Sequence, residues 1–436
     1  MHERLLHASL QDMRADLLNR IVLRWDSTSD CSALVAPGGI EVVWLTRADD
    51  RVAANCRAVG AETLAADDVR LLPLEQGAQA EAGAAVAFKA GAWPGAQASG
   101  RGSGGGFSAG ATQHAWVDSD TYLPPLIRAL YPSAQPVLGY LPDAGAGIAS
   151  GKVIAYNSLE LALIDAWAGG GNYILAPDAA CRDALLAGDR SALAAWSSLG
   201  RTARWLREQQ TLFRHPPAGT ITVLVEPGDT TAEIASLLFR HSASPDLVSS
   251  ARVPPPDAAR RPVVVAAGIG PPSADLRNLL LAHASGGATV VTDLSGADAW
   301  WRTAGLKPSR AFEDREFYSL GSGAILAYRQ AVEDPGDFAL DVLDAAGARR
   351  AVRIWECPAG IATVSQAGPR SKPVLRVVNY ASRARDQMVA HVRGNHASAT
   401  LLRPGQQPSA LRTYRRGPNT EVVLAGLERL AVVVFT

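Results

Sequence analysis

Through its first half this 436-residue chain alternates short apolar runs with amphipathic stretches, and after residue 336 it changes to brief alternating runs bounded by Gly, Pro, Asn or Ser. Strand–helix alternation builds a mostly parallel sheet with helices outside it, whereas closely spaced alternating strands build an antiparallel sandwich. In the first part, strands are expected at 21–25, 41–45, 62–65, 69–72, 85–89, 115–118, 136–141 and 173–176, with amphipathic stretches at 52–59, 123–131 and 159–168. Eight strands match a (β/α)8 barrel in number, but roughly 190 residues are few against the ~250 that such a barrel takes. The expectation is an eroded (β/α)8-type barrel, with an open sheet as the alternative.

A helical region follows over 190–213, and Pro216-Pro217 stops it. A second α/β unit then reads as strands at 221–225, 246–249, 263–267 and 289–292, helices at 231–241 and 274–284, and a hairpin at 317–328 through Gly321 and Gly323. These patterns divide the chain into a degenerate (β/α) barrel over 1–215, a flavodoxin-like α/β domain over 216–335 and an antiparallel β-sandwich over 336–436.

Chemistry concentrates between residues 84 and 122. Two apolar runs end there in functional side chains: Lys89 with Trp93, then Trp116 with Asp118 and Asp120, joined through the glycine-rich stretch 100–106. Groups that follow the carboxyl ends of strands form the ligand-facing rim of an α/β fold. Indole faces suit the apolar face of a sugar, and carboxylates suit its hydroxyl edge. Asp118 and Asp120 are two residues apart, so a continuous strand would place them on one face with Ser119 opposite. Asp26 and Asp178 follow other strands and would join them if the sheet closes. Each residue also has a plainer use. Aspartates after strands cap helices, tryptophans fill cores, and a strand-end lysine stays solvated.

The order of parts resembles the layout of family 42 β-galactosidase-type glycoside hydrolases. The likeness is carried by KAGAWPG with AWVDSD (89–95, 115–120), LRNLLLAHASGGATVVTDL (276–294), and VVNYASRARDQMVAHVRG with EVVLAGLERLAVVVF (377–394, 421–435). It implies a barrel, a flavodoxin-like domain and a sandwich, a saccharide as partner, and an oligomeric scaffold as a further possibility. Active members of that family use two glutamates at the ends of barrel strands. No strand end here carries one; the groups in those places are Asp26, Asp118, Asp120, Asp143 and Asp178.

Glycoside hydrolysis needs one carboxyl group kept protonated and one ionised across the scissile bond. The leading expectation is therefore a hydrolase acting through Asp118, Asp120 and Asp178, with Asp26, Lys89, Trp93 and Trp116 binding substrate. The alternative is a catalytically silent relative that binds a saccharide or a protein at the same rim. Lysine plus arginine equals aspartate plus glutamate, 42 against 42, which gives no field for nucleic acid or an acidic membrane. No GxGxxG or GxxxxGK[ST] is present, and Pro271 and Pro272 remove amides from the turn at Gly268 to Gly270. Histidine spacing suits no metal, and no cofactor is expected. Cys31, Cys56, Cys181 and Cys357 lack paired spacing, the first twenty residues lack a signal-peptide core, and no run is long enough to span a membrane; a cytoplasmic protein is expected.

Overall fold

A computed structural model describes residues 20–24, 41–46, 62–65, 69–79, 85–89, 93–97, 116–134, 136–140, 153–175, 178–257, 262–294, 299–368 and 371–436. The chain is a mixed α/β protein. In its first part, Arg20–Arg24, Glu41–Thr46 and Glu62–Ala65 form one parallel sheet, and Val69–Leu72, Ala85–Lys89, Val137–Tyr140 and Asn172–Leu175 form a second. Among the described residues no ladder joins the two sheets or closes either into a ring.

Trp116–Asp118 departs from the expected parallel strand. It pairs antiparallel with Gly95–Gln97 in a separate two-stranded sheet, Gly95 opposite Asp118. Its side chains account for this. Only Val117 is buried, while Trp116 is 54% exposed. A strand inside a parallel sheet must be apolar on both faces, and this one is apolar on a single face.

The middle sheet is read almost entirely from its apolar runs. Its order is Asp246–Ser249, Ile221–Val225, Val263–Ala266, Thr289–Thr292, Gly323–Tyr328, Arg315–Leu320 and Arg310–Ala311. The first five strands are parallel and the last two antiparallel. The run Val263–Ala266 is buried at every position, as a central parallel strand requires. The expected hairpin turns at Gly321 (φ 58°). The helix Pro335–Ala346 packs on the helix Asp229–Arg240 and on Val263–Ala266. A division at 335/336 therefore falls in the first turn of a helix that shares the middle unit's packing.

Beyond it, two antiparallel sheets face each other. Val352–Trp355, Arg385–Arg393, Asn419–Leu427 and Thr413–Arg416 form one; Gly360–Gln366, Pro373–Asn379, Leu430–Phe435, Ala399–Leu402 and Ser409–Leu411 form the other. Met388, Val422 and Leu424 from the first meet Leu375, Val377 and Phe435 from the second in one fully buried cluster.

Gly360–Gln366 is an edge strand, and exposed edges invite pairing with other chains. This edge is covered. Ala218 N–H donates to Val364 O, Gln366 N–H to Pro216 O, and the amides of Ala362 and Val364 donate to Ser242 Oγ and Ser244 Oγ. Ser242 and Ser244 hold left-handed backbone (φ 56° and 51°), unusual for serine, at the turn that brings these hydroxyls to the strand. One apolar cluster joins residues from along the chain, including Phe88 and Leu126, Val223 and Leu238, and Ile361 and Val432.

Gly323 begins its strand against the end of the helix Ala274–Ser285. A Cβ there would stand 2.2 Å from Ala288 O and 2.3 Å from Ala284 O. We expect Gly323→Ala to destabilise the protein by about 1–3 kcal/mol through this overlap, measured as a lower urea midpoint.

Candidate functional site

The chain leaves its short strand at Asp118, turns through Ser119-Asp120-Thr121-Tyr122 and enters the helix Leu123–Leu130. Pro124 and Pro125 lie in the first helical turn, where no amide partner is needed, so the turn and the helix start are fixed together. Leu123 N–H donates to Asp120 O at 2.9 Å and Leu126 N–H to Tyr122 O at 3.1 Å.

Beneath this turn lies Asp165, with no solvent exposure, on the helix Tyr156–Ala168. Four donors meet its carboxylate. Ser119 Oγ donates to Oδ1 at 2.8 Å, the Thr121 and Tyr380 hydroxyls donate to the same oxygen, and the Asp120 amide donates to Oδ2. The Tyr380 hydroxyl also lies 2.9 Å from both Ser119 Oγ and Thr121 Oγ1. Burial pushes the Asp165 carboxyl above the usual carboxylate range, against the opposing pull of these hydrogen bonds. Burial, aided by neighbouring carboxylates, also pushes the Tyr380 and Tyr140 hydroxyls well above their usual value, so both keep their protons. Tyr380 follows the strand Pro373–Asn379 of the sandwich, so this carboxylate ties that region to the loop above it.

The predicted residues separate into distinct surroundings. Asp118 and Asp120 do not share a face, because the strand ends at Asp118. Ser119 reaches Asp165, and Asp120 is buried beside the Tyr140 hydroxyl. Asp118 is half-buried; it accepts from Trp116 Nε1 at 3.1 Å and acts electrostatically on the Arg240 guanidinium. Arg240, last residue of the helix Asp229–Arg240, lies over the Trp116 ring at 3.6 Å from its centre. Lys89 is exposed at the end of Ala85–Lys89.

Two expectations meet the plainer outcome. Trp93 is 7% exposed and packs in the core, its ring 5.6 Å from that of Tyr140, so its faces are not offered to a ligand. Asp178 accepts from Ile154 N–H at 2.6 Å and from Cys181 N–H at 2.7 Å, which engages both its oxygens at the start of the helix Ala179–Leu186. Asp26, Asp143 and the glycine-rich stretch 100–106 lie outside the described residues.

Asp165, Tyr140, Tyr380 and Arg240 were not singled out from sequence. Asp165 did carry a signal: it is the one acid in the run Leu161 to Ala168, a place where an unpartnered charge would be costly. Tyr380 and Arg240 gave none, since each is defined by what it meets across the fold.

At the carboxyl ends of the middle parallel strands, the amides that could cradle a phosphate are already occupied. Glu226 accepts from Gly270 N–H at 2.8 Å and from Ser250 Oγ at 2.6 Å; Asp293 accepts from Gly268 and Val332 N–H. Among the described residues no group of three His, Cys, Asp or Glu is arranged to hold a metal ion, and no helix is long and apolar enough to cross a membrane. Burial pushes the Cys181 and Cys357 thiols up to about 11.

No family model matches this chain, and no curated protein matches it. Solved structures do. An α-L-fucosidase, isoenzyme 2 from Paenibacillus thiaminolyticus, matches at a TM-score of 0.48 and 12% identity over 72% of this chain and 63% of its own. A catalytic mutant of a GH42 β-galactosidase from G. stearothermophilus matches at 0.47 and 10% identity over 93% of this chain and 65% of its own. A β-galactosidase from Rahnella sp. R3 matches at 0.44 and 10% identity over 72% and 57%. This chain spans less than two thirds of the length of each.

Two predictions test the buried carboxylate. Tyr380→Phe removes one donor from Asp165 and should cost about 1.5–3 kcal/mol in urea unfolding. The raised Asp165 carboxyl means that the folded state holds this proton more tightly than the unfolded one. Its contribution to stability is therefore fully present below the unfolded value and is lost as pH rises through the folded one. Relative to Asp165→Asn, which does not titrate, the native protein should lose stability as pH rises above the ordinary aspartate value of about 4, read from melts at a series of pH values.

Proposed function

We propose that this chain is a glycoside hydrolase-like protein that binds a saccharide at the Trp116–Asp118 turn without hydrolysing it. The observation that carries this reading is the Trp116, Asp118 and Arg240 cluster. A half-exposed indole, the Asp118 carboxylate and the Arg240 guanidinium converge at the end of a short strand, and Glu233 also acts on Arg240. The indole supplies an apolar platform for sugar C–H groups, and the carboxylate and guanidinium supply an acceptor and donors for hydroxyls.

Hydrolysis would need a second carboxyl group facing the same open space. Asp120 is buried on the Tyr140 side of the turn, and Asp178 is engaged by two backbone amides. Neither supplies the partner across a glycosidic bond that acid–base or nucleophilic displacement requires. The chain's division into units over 1–215, 216–335 and 336–436 is part of this proposal, adjusted so that the helix Pro335–Ala346 stays with the middle unit it packs on.

A panel of mono- and oligosaccharides, with the matching aryl glycosides, tests the reading. At least one sugar should raise the melting temperature while no glycoside is turned over. Trp116→Ala should weaken that sugar by about two- to tenfold, the worth of one aromatic contact. Turnover by the native protein that Asp118→Asn abolishes would establish the hydrolase instead. Stabilisation by no sugar would remove the saccharide altogether.

A further inference from the structure

A cavity of about 330 Å³ lies where the three parts of the chain meet, and neither Trp116 nor Asp118 lines it. Its floor comes from the sandwich. Thr363 and Arg376 stand directly opposite each other on the neighbouring strands Gly360–Gln366 and Pro373–Asn379, and both line the space. Arg128, from the helix Leu123–Leu130, closes one side. Phe213, Arg214 and His215, at the end of the helical region, close another.

The charges in this cavity are one-sided. Three arginines and a histidine line it, and no aspartate or glutamate does so among the described residues. Arg376 is 5% exposed. Its Nη1 donates to Phe213 O at 3.2 Å, while its Nε is buried without a hydrogen-bond partner. His215 Nδ1 and Thr363 Oγ1 are likewise buried and unpartnered. Arg128 spends two of its donors on Gly169 O and Gly170 O, at 2.7 and 2.9 Å, which fixes its charge at the cavity without neutralising that of Arg376.

A buried guanidinium normally has a carboxylate beside it, because an uncompensated charge out of water is among the costliest features a fold can carry. Here the electrostatic strain is visible. Burial, with the like charge of Arg128, lowers Arg376 to about 10, and burial with Arg376 lowers His215 as well. Unused donors and uncompensated positive charge around a partly open cavity of this size are what an anionic ligand would complete.

We propose that this junction cavity binds a small oxyanion, the phosphate or carboxylate group of a small molecule, between Arg376, Arg128, His215 and Thr363. Arg376 supplies the charge and the buried Nε–H. The Thr363 hydroxyl and the His215 ring supply hydrogen bonds from two further directions. The volume admits more than a bare ion, so the anionic group is the anchored end of a larger solute.

Titration with inorganic phosphate, and separately with acetate, tests this and tells the two anions apart; chloride at matched ionic strength is the control. Melting temperature and calorimetry are the readouts. Saturable stabilisation by phosphate or by acetate, absent with chloride, is the expected result. Arg376→Met should weaken the effective anion at least tenfold. In anion-free buffer the same variant should melt no lower than the native protein, since it removes a buried charge that no carboxylate among the described lining residues offsets. Thr363→Val, close in shape and folded independently of the Arg376 result, should weaken the anion by about two- to tenfold, one hydrogen bond's worth. No saturable stabilisation by either anion, or an affinity unchanged in Thr363→Val, would overturn the proposal. An Arg376→Met protein that melts lower in anion-free buffer and binds the anion as before would overturn it too, leaving Arg376 as a purely internal donor to Phe213 O.

Discussion

Taking the Asp165 carboxylate entirely out of water would be prohibitive without partners, and the arrangement of partners it demands organises the centre of the molecule. Ser119, the Asp120 amide and Thr121 come from the turn after the short strand, and Tyr380 comes from the sandwich. All must be in place at once for the charge to be tolerated. A turn held at three consecutive residues cannot swing, so Asp118 on one side of it and Asp120 on the other keep fixed directions. The candidate site is thus positioned from below by a group with no solvent exposure.

Two further devices hold the regions of the chain against one another. The edge strand Gly360–Gln366 receives hydrogen bonds from 216–218 and from the two left-handed serines Ser242 and Ser244, so the sandwich docks through a ladder that would otherwise be open. The Arg240 guanidinium, at the end of a middle-unit helix, lies on Trp116 beside Asp118. Where these segments meet, the contacts are polar at several points, and they set the geometry within a shared apolar cluster.

The same junction explains why function is read as binding at Trp116 and as an anion site at Arg376. In the first place opposite charges are paired and an aromatic face remains open. In the second, positive charge is gathered and no carboxylate among the described lining residues faces it. These are opposite electrostatic conditions in one protein, and each calls for a different class of small molecule.

Strand period and apolar content alone were enough to place the middle parallel run Val263–Ala266, the hairpin at Gly321 and the alternating strands of the sandwich, because burial on one or both faces imprints a pattern within a few residues. The strand at Trp116–Asp118 was also legible, but not its pairing: three residues carry too little pattern to name a partner. Trp93 and Asp178 could be listed as ligand groups or as core and cap, and only neighbours distant in sequence chose the second for each. Asp165 meets Ser119 across 46 positions and Tyr380 across 215. Local sequence determines which segments become strands or helices, since that depends on side chains two to four residues apart. Which carboxylate is buried, which is paired and which faces open space depends on contacts between remote segments, and those exist only once the chain has folded.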